Sequence, residues 1–154
     1  MKSIDILLAD DDKDDRLIFK DALAELSIAT KLTMVNNGEQ LMEYLSITET
    51  LPDVLFLDVN MPRKNGMECL VEIKRHALLK KLPVIIYSTS YDREKADQFY
   101  NNGAQHFICK PADYNELKDV IYRALSFLQE TNSKSLKENF VITNQKSLSD
   151  HLNY

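Results

Sequence analysis

Asp58 ends the run LPDVLFLD, where an apolar strand heading through a core terminates in a carboxylate. An isolated buried charge is costly, so a cation, a proton or dense hydrogen bonding must accompany it. Other apolar runs end in the same way. Asp10 and Asp11 follow IDILLA, Ser88 and Thr89 follow VIIY, and Lys110 follows HFIC. If these runs are neighbouring parallel strands, their polar ends meet at one sheet edge. Three carboxylates there raise each other's proton affinities unless a cation shares the space. Oxygen ligands from acids, a carbonyl and water match Mg²⁺, a hard ion that favours octahedral coordination. Lys110 adds a compact point charge, and Ser88 a hydroxyl suited to a phosphate oxygen. A carboxylate flanked by Mg²⁺, lysine and hydroxyl is arranged for phosphoryl transfer, with Asp58 at the centre as nucleophile. The plainer alternative is a hydrated acidic rim in which Lys110 makes an ordinary salt bridge.

The elements that must position these residues alternate along the chain. Strands are expected over Ile4–Ala9, Lys31–Val35, Val54–Leu57, Val84–Ser88 and Gln105–Cys109. The short, nearly unbroken apolar runs among them suit strands covered on both faces. Between them, Leu17, Ile18, Ala22 and Leu26 recur at helical spacing, with Asp14 or Asp15 available as a cap. Helical spacing returns at Leu41, Met42 and Leu45, then over Met67–His76, Asp92–Asn101 and Tyr114–Leu128. Asn102-Gly103 is expected to stop the fourth helix. Five strand–helix alternations imply an α/β fold, a five-stranded parallel sheet with helices on both faces. Ligands of such sheets sit beyond the carboxyl ends of the strands.

A chain of 154 residues can bury a core without a metal or disulfide to staple it. Cys69 and Cys109 form no C-x-x-C pair and read as small buried apolar groups. No run is long enough for a membrane helix or signal sequence, so the expectation is a cytoplasmic protein without membrane insertion. With 24 acids against 19 bases, nonspecific nucleic-acid binding is disfavoured. His76, His106 and His151 cluster with no acid at metal-ligand spacing. The expected domain covers residues 1–130. Residues 131–154 are rich in Ser, Asn and Lys, a composition that fits a flexible tail, although Phe140, Val141 and Ile142 offer an apolar triplet that can dock on the domain or on a second copy.

Together the acidic pair in LLADD, the segment LDVNMPRKNG, Ser88-Thr89 after PVIIY and Lys110-Pro111 in GAQHFICKP resemble the receiver domain of two-component response regulators, over residues 3 to 129. That resemblance implies a flavodoxin-like, doubly wound sheet with strand order 2-1-3-4-5 and five helices. It implies that Asp58 is the phosphoacceptor, taking a phosphoryl group from a sensor histidine kinase or histidine phosphotransfer protein. It implies Mg²⁺ bound by Asp11, by Asp10 largely through water, by Asp58 and by the backbone carbonyl of Asn60. Lys110 and Ser88 would contact the phosphoryl oxygens. Ser88 and Phe107 would form the switch, with Phe107 turning inward, and a cis peptide is implied at Lys110-Pro111. The fourth helix, fifth strand and fifth helix would form the output face, with Tyr91, Arg93, Lys95, Gln98, Phe107, Tyr114 and Lys118 as candidates, and relatives often pair there as homodimers.

In the family this chain resembles, the position of Thr89 commonly holds alanine or another small residue, and the side chain of Asn60 would lie near the path of attacking water. Pro62 and Gly66 are expected to shape the loop after the third strand. The chain resembles a single-domain, stand-alone regulator that signals through protein contacts, catalysing at most its own phosphoryl transfer and slow dephosphorylation. Two rivals share the fold: an unphosphorylated binding scaffold, which the retained charged residues disfavour, and an aspartate-nucleophile phosphohydrolase. The hydrolase wants a second acid two residues after the nucleophile, where this chain has Asn60.

Overall fold

Apolar strand runs alternate with helices throughout the chain, and the computed structural model, which describes residues 2–130 and 137–143, turns that alternation into one sheet between two helical layers. The strands are β1 (Ile4–Ala9), β2 (Thr30–Val35), β3 (Val54–Leu57), β4 (Val84–Ser88) and β5 (His106–Cys109), with a short β6 (Val141–Ile142). The helices are α1 (Lys13–Ala24), α2 (Gly38–Ile47), α3 (Gly66–Arg75), α4 (Arg93–Asn101) and α5 (Tyr114–Glu130). The order is β2-β1-β3-β4-β5-β6, and every pairing is parallel. The expected order is present, but the sheet has six strands rather than five, because the apolar triplet near the C-terminus docks on β5. His151 and the rest of residues 131–136 and 144–154 lie outside the described residues.

The central strands are buried on both faces because each face carries its own core. Leu7, Leu55, Leu57, Val84 and Ile86 meet α2, α3 and α4 on one side. Leu8, Phe56, Ile85 and Ile108 meet α1 and α5 on the other. This two-sided burial explains why the strands read as continuous apolar runs rather than alternating ones. No described helix is long and apolar enough to cross a membrane.

Local chemistry corrects several boundaries. Asp12, not Asp14 or Asp15, caps α1: its Oδ1 accepts from the N–H groups of Asp14 (2.8 Å) and Asp15 (3.1 Å). That phase turns Phe19, Ala22 and Leu23 into the core and leaves Leu17 and Ile18 45% and 44% exposed. The expected face through Leu17 and Ile18 is therefore wrong, and Leu26 packs from beyond the helix end. Asn65 and Glu68 form a capping box that starts α3 at Gly66. Asp92 caps α4 rather than belonging to it.

Candidate functional site

Strand register builds the site. The Asp10 N–H donates to Val35 O (3.2 Å), the Asp58 N–H to Ala9 O (2.9 Å) and the Lys110 N–H to Ser88 O (2.8 Å). Each functional residue is thus tied by its backbone to the strand beside it, one step past the regular ladder. The sequence expectation that Asp10, Asp58, Ser88 and Lys110 gather at one edge holds geometrically. Asp10, Asp11 and Asp58 each offer a carboxylate oxygen, and these oxygens lie within 4.8 Å of one another. A convergent set of hard oxygen donors on two buried acids and one exposed acid fits a divalent cation such as Mg²⁺ by donor chemistry.

The charges are unevenly distributed. Asp10 is fully buried: Oδ1 accepts the Asp12 N–H at 3.0 Å and Oδ2 meets the Lys110 ammonium at 2.8 Å. Its backbone carbonyl accepts from Arg16 Nη1 at 2.8 Å. Lys110 also pairs with Asp15 Oδ2 at 3.1 Å, whereas Asp58 Oδ1 is 3.9 Å away. The ammonium lies 4.6 Å from the centroid of the Tyr87 ring. Asp15 and Tyr87 were not legible as site residues. Their only sequence signals were an extra acid in the first helical turn and an aromatic residue just before Ser88.

Burial is the main force on Asp58. It lifts the carboxyl from its ordinary range to about 7, with Asp10 and Asp11 pushing the same way, while Lys110 and the Asn60 backbone N–H pull it down. The sign for stability follows directly. A carboxyl with a raised folded pKa contributes stability below its unfolded pKa, and that contribution is lost as pH rises from about 4 through about 7. Asp58→Asn should therefore flatten this decline and stabilise the metal-free protein at pH 8, by on the order of 1–2 kcal/mol after allowance for solvent at the site mouth. Mg²⁺ should raise the melting temperature of the wild type at pH 8 and do so much less for Asp58→Asn. Identical thermal scans of the two proteins with and without Mg²⁺ would sink this reading.

The switch candidates occupy defined starting positions. Ser88 is buried, and its Oγ accepts the Ser90 N–H at 3.2 Å. Thr89 and Asn60 are exposed. Phe107 is already inside, 1% exposed, with its ring 6.0 Å from those of Tyr91 and Phe99. An inward turn from an exposed position is therefore not available to it. The Lys110–Pro111 peptide is trans, contrary to expectation. The lysine is aimed instead by its backbone bond to Ser88 and its ion pairs, and the chain runs on to Asp113, whose side chain accepts the Glu116 N–H in the first turn of α5.

Gly66 earns its place through a close approach rather than an unusual turn. A Cβ there would stand 2.6 Å from the Asp58 carbonyl oxygen and 2.9 Å from Val59 Cα. The left-handed residue of this loop is Arg63 (φ 69°), spanned by a Lys64 N–H donated to Pro62 O at 2.7 Å.

Comparison with known proteins points the same way. The family model of the response regulator receiver domain matches residues 6–122. The chain is 35% identical over 126 residues to the DNA-binding transcriptional regulator NtrC of Escherichia coli, covering 81% of this chain but 25% of that protein. It is 28% identical over 131 residues to the response regulator Rcp1 of Synechocystis, covering 82% of this chain and 89% of Rcp1. Among solved structures, the phosphorylated cyanobacterial phytochrome response regulator RcpA matches with a TM-score of 0.76 at 29% identity, over 83% of this chain and 95% of RcpA. The Mn²⁺-bound form of Rcp1 matches with a TM-score of 0.74 at 27% identity, over 86% of this chain and 99% of that one.

Proposed function

We propose, from the premise that this chain belongs to the response regulator receiver domain family and works as an aspartate-phosphorylated switch of two-component signalling, that Asp58 is the phosphoacceptor. One observation carries the assignment: Asp58, just past the end of β3 between β1 and β4, shares the oxygen cluster with Asp10 and Asp11 and has Lys110 within 3.9 Å. The phosphoryl donor typical of such domains is a histidine kinase or histidine phosphotransfer protein.

Asp10, Asp11 and Asp58, with the backbone carbonyl of Asn60, would hold Mg²⁺. When bound, the ion supplies positive charge that offsets the crowded acids and the phosphoryl oxygens. The support for this assignment is the convergent donor set, together with Rcp1 having been crystallised with Mn²⁺. The protein's own residues do the rest. The carboxylate of Asp58 attacks phosphorus as the donor imidazole leaves, so one P–O bond forms as one P–N bond breaks. Lys110 neutralises charge on the transferred group, and the Ser88 hydroxyl, now accepting from Ser90, turns to donate to it.

The face formed by α4, β5 and α5 is our proposed output and pairing surface. Its central strand already carries β6 along its edge, through the pairs Phe107–Val141 and Ile108–Ile142. A second copy would therefore meet α4, α5 and the docked segment rather than a bare strand.

Incubation with Mg²⁺ and acetyl phosphate, followed by intact mass measurement, tests the core assignment. The wild type should gain one phosphoryl group, and Asp58→Ala none. An adduct of equal occupancy on Asp58→Ala would move the acceptor elsewhere. Continuous phosphate release from an unrelated phosphomonoester would instead favour a hydrolase.

A further inference from the structure

Lys110 stands among three carboxylates and a ring. Asp10 Oδ2 is at 2.8 Å, Asp15 Oδ2 at 3.1 Å, Asp58 Oδ1 at 3.9 Å and the Tyr87 centroid at 4.6 Å. Asp10 and Asp58 belong to the oxygen cluster, but Asp15 does not. It sits in the first turn of α1, where the cap is already supplied by Asp12, so helix geometry does not require its carboxylate. That side chain retains 36% of its exposure, against 0% for Asp10 and 10% for Asp58.

The floor beneath the ammonium is tightly packed. Tyr87 is 2% exposed, and its ring is wedged edge-on against Phe19 at 5.5 Å and Phe56 at 6.5 Å. A ring face attracts a cation without favouring one neighbouring carboxylate over another. A lysine ammonium on a flexible stem then settles where its anions pull hardest. Asp10 is the near, dry anchor. Asp15 and Asp58 are the competitors, and in the unmodified protein Asp15 lies 3.1 Å from the ammonium while Asp58 lies 3.9 Å away.

We propose that Asp15 is a positioning residue that holds Lys110 back from Asp58 until a phosphoryl group arrives. The inference rests on Asp58 being the acceptor. A phosphoryl group carries more charge than the carboxylate oxygen it occupies. It draws the ammonium across the Tyr87 ring, and the pairing with Asp15 is given up while that with Asp10 persists. Asp15 thereby opposes the modified state and helps set how strongly the unmodified state is favoured. No covalent bond changes in this exchange; one ion pair is replaced by another.

The test uses beryllium fluoride with Mg²⁺ as a stable probe of the phosphorylated site, titrated by calorimetry into the wild type, Asp15→Asn, Asp15→Glu, Lys110→Ala and the Asp15→Asn/Lys110→Ala double variant. Asp15→Asn should bind the probe about fivefold more tightly than wild type, and Asp15→Glu should return towards wild type. In the Lys110→Ala background the substitution should change little, because the pair it breaks is already gone. Unchanged or weaker binding by Asp15→Asn overturns the proposal, and so does an equal gain in both backgrounds, which would make Asp15 a general repeller of anions.

A second readout needs neither metal nor probe. The ε-CH₂ NMR signals of Lys110 in the unmodified protein should move in Asp15→Asn, and static signals overturn the proposal. Should those signals move while the wild type binds no beryllium fluoride, the ion-pair geometry stands and the acceptor assignment fails, taking with it the role proposed for Asp15.

Discussion

Lys110→Ala should be the most destabilising single change at the site, costing about 3–5 kcal/mol in the metal-free protein and lowering its urea midpoint accordingly. The lysine side chain is only 8% exposed and faces three carboxylates. Among the described residues, no other Lys or Arg forms an ion pair with the carboxylate of Asp10 or Asp58. Removing it leaves Asp10 buried with its Oδ2 uncompensated, and the penalty of a stranded buried charge exceeds the worth of the pair itself. Lys110's own proton is secure: burial opposes its charge, but the hydrogen bond and field of Asp10, then Asp58 and Asp15, more than restore it, so its affinity ends raised.

The pH dependence separates charge from packing. Asp58 already holds a proton to about pH 7, and loss of Lys110 removes the main force pulling that value down. The cost of Lys110→Ala should therefore be largest at pH 8 and shrink towards pH 5, where Asp58 is neutral. Lys110→Met keeps most of the stem over the Tyr87 ring without the charge, so it should follow Lys110→Ala at pH 8. A loss equal at both pH values would count against the share assigned to Asp58, and a Met variant as stable as wild type would count against the electrostatic account as a whole.

The strand ends were legible because parallel pairing leaves little freedom. IDILLA, VLFL, VIIY and HFIC are nearly unbroken apolar runs, and the polar residue that ends each is fixed by register at the same edge. Side chains at such ends meet by register although they lie far apart in sequence. Asp15 escaped because its reach to Lys110 depends on the phase of α1, which in turn depends on which of several neighbouring acids is the cap. The same ambiguity misplaced the apolar face. Leu17, Ile18 and Ala22 fit one helical stripe, Phe19, Ala22 and Leu23 fit another, and the two share Ala22. Tyr87 looked like one more strand residue; its ring faces the core formed with α1 and α5, where it runs beneath the lysine.

Isomer and rotamer states were not readable at all. Nothing in GAQHFICKP distinguishes a trans from a cis step at Lys110–Pro111, since the two differ by little for proline. Phe107 in HFIC marks a core-facing strand position, but its rotamer depends on Tyr91 and Phe99, which come from other parts of the chain.

Phe140→Ala should cost about 3–5 kcal/mol, a core-sized penalty for a residue in a segment whose composition reads as tail. A two-residue strand is too short to leave any periodic signal, so Val141–Ile142 could be suspected only from the apolar triplet. In the structure Phe140 is 2% exposed and meets the Tyr100 ring edge-on at 5.2 Å. Its carbonyl accepts the Phe107 N–H at 3.0 Å and lies 3.3 Å from His106 Nδ1, while Arg123 Nη1 donates to Thr143 O at 2.6 Å. The exposed Lys137–Asp97 pair adds little to this anchoring. The ring therefore supplies most of the docking energy, and the backbone bonds set the register. A chain ending at Glu130 should lose a similar amount and uncover the β5 edge, leaving the Phe107 N–H without its carbonyl. Hydrogen exchange at that amide discriminates: it should be protected in the full chain and fast after truncation. If Phe140→Ala keeps the wild-type urea midpoint and the Phe107 amide exchanges equally in both chains, the segment is not bound in solution. In that case the face of α4, β5 and α5 presents β5 bare to a partner.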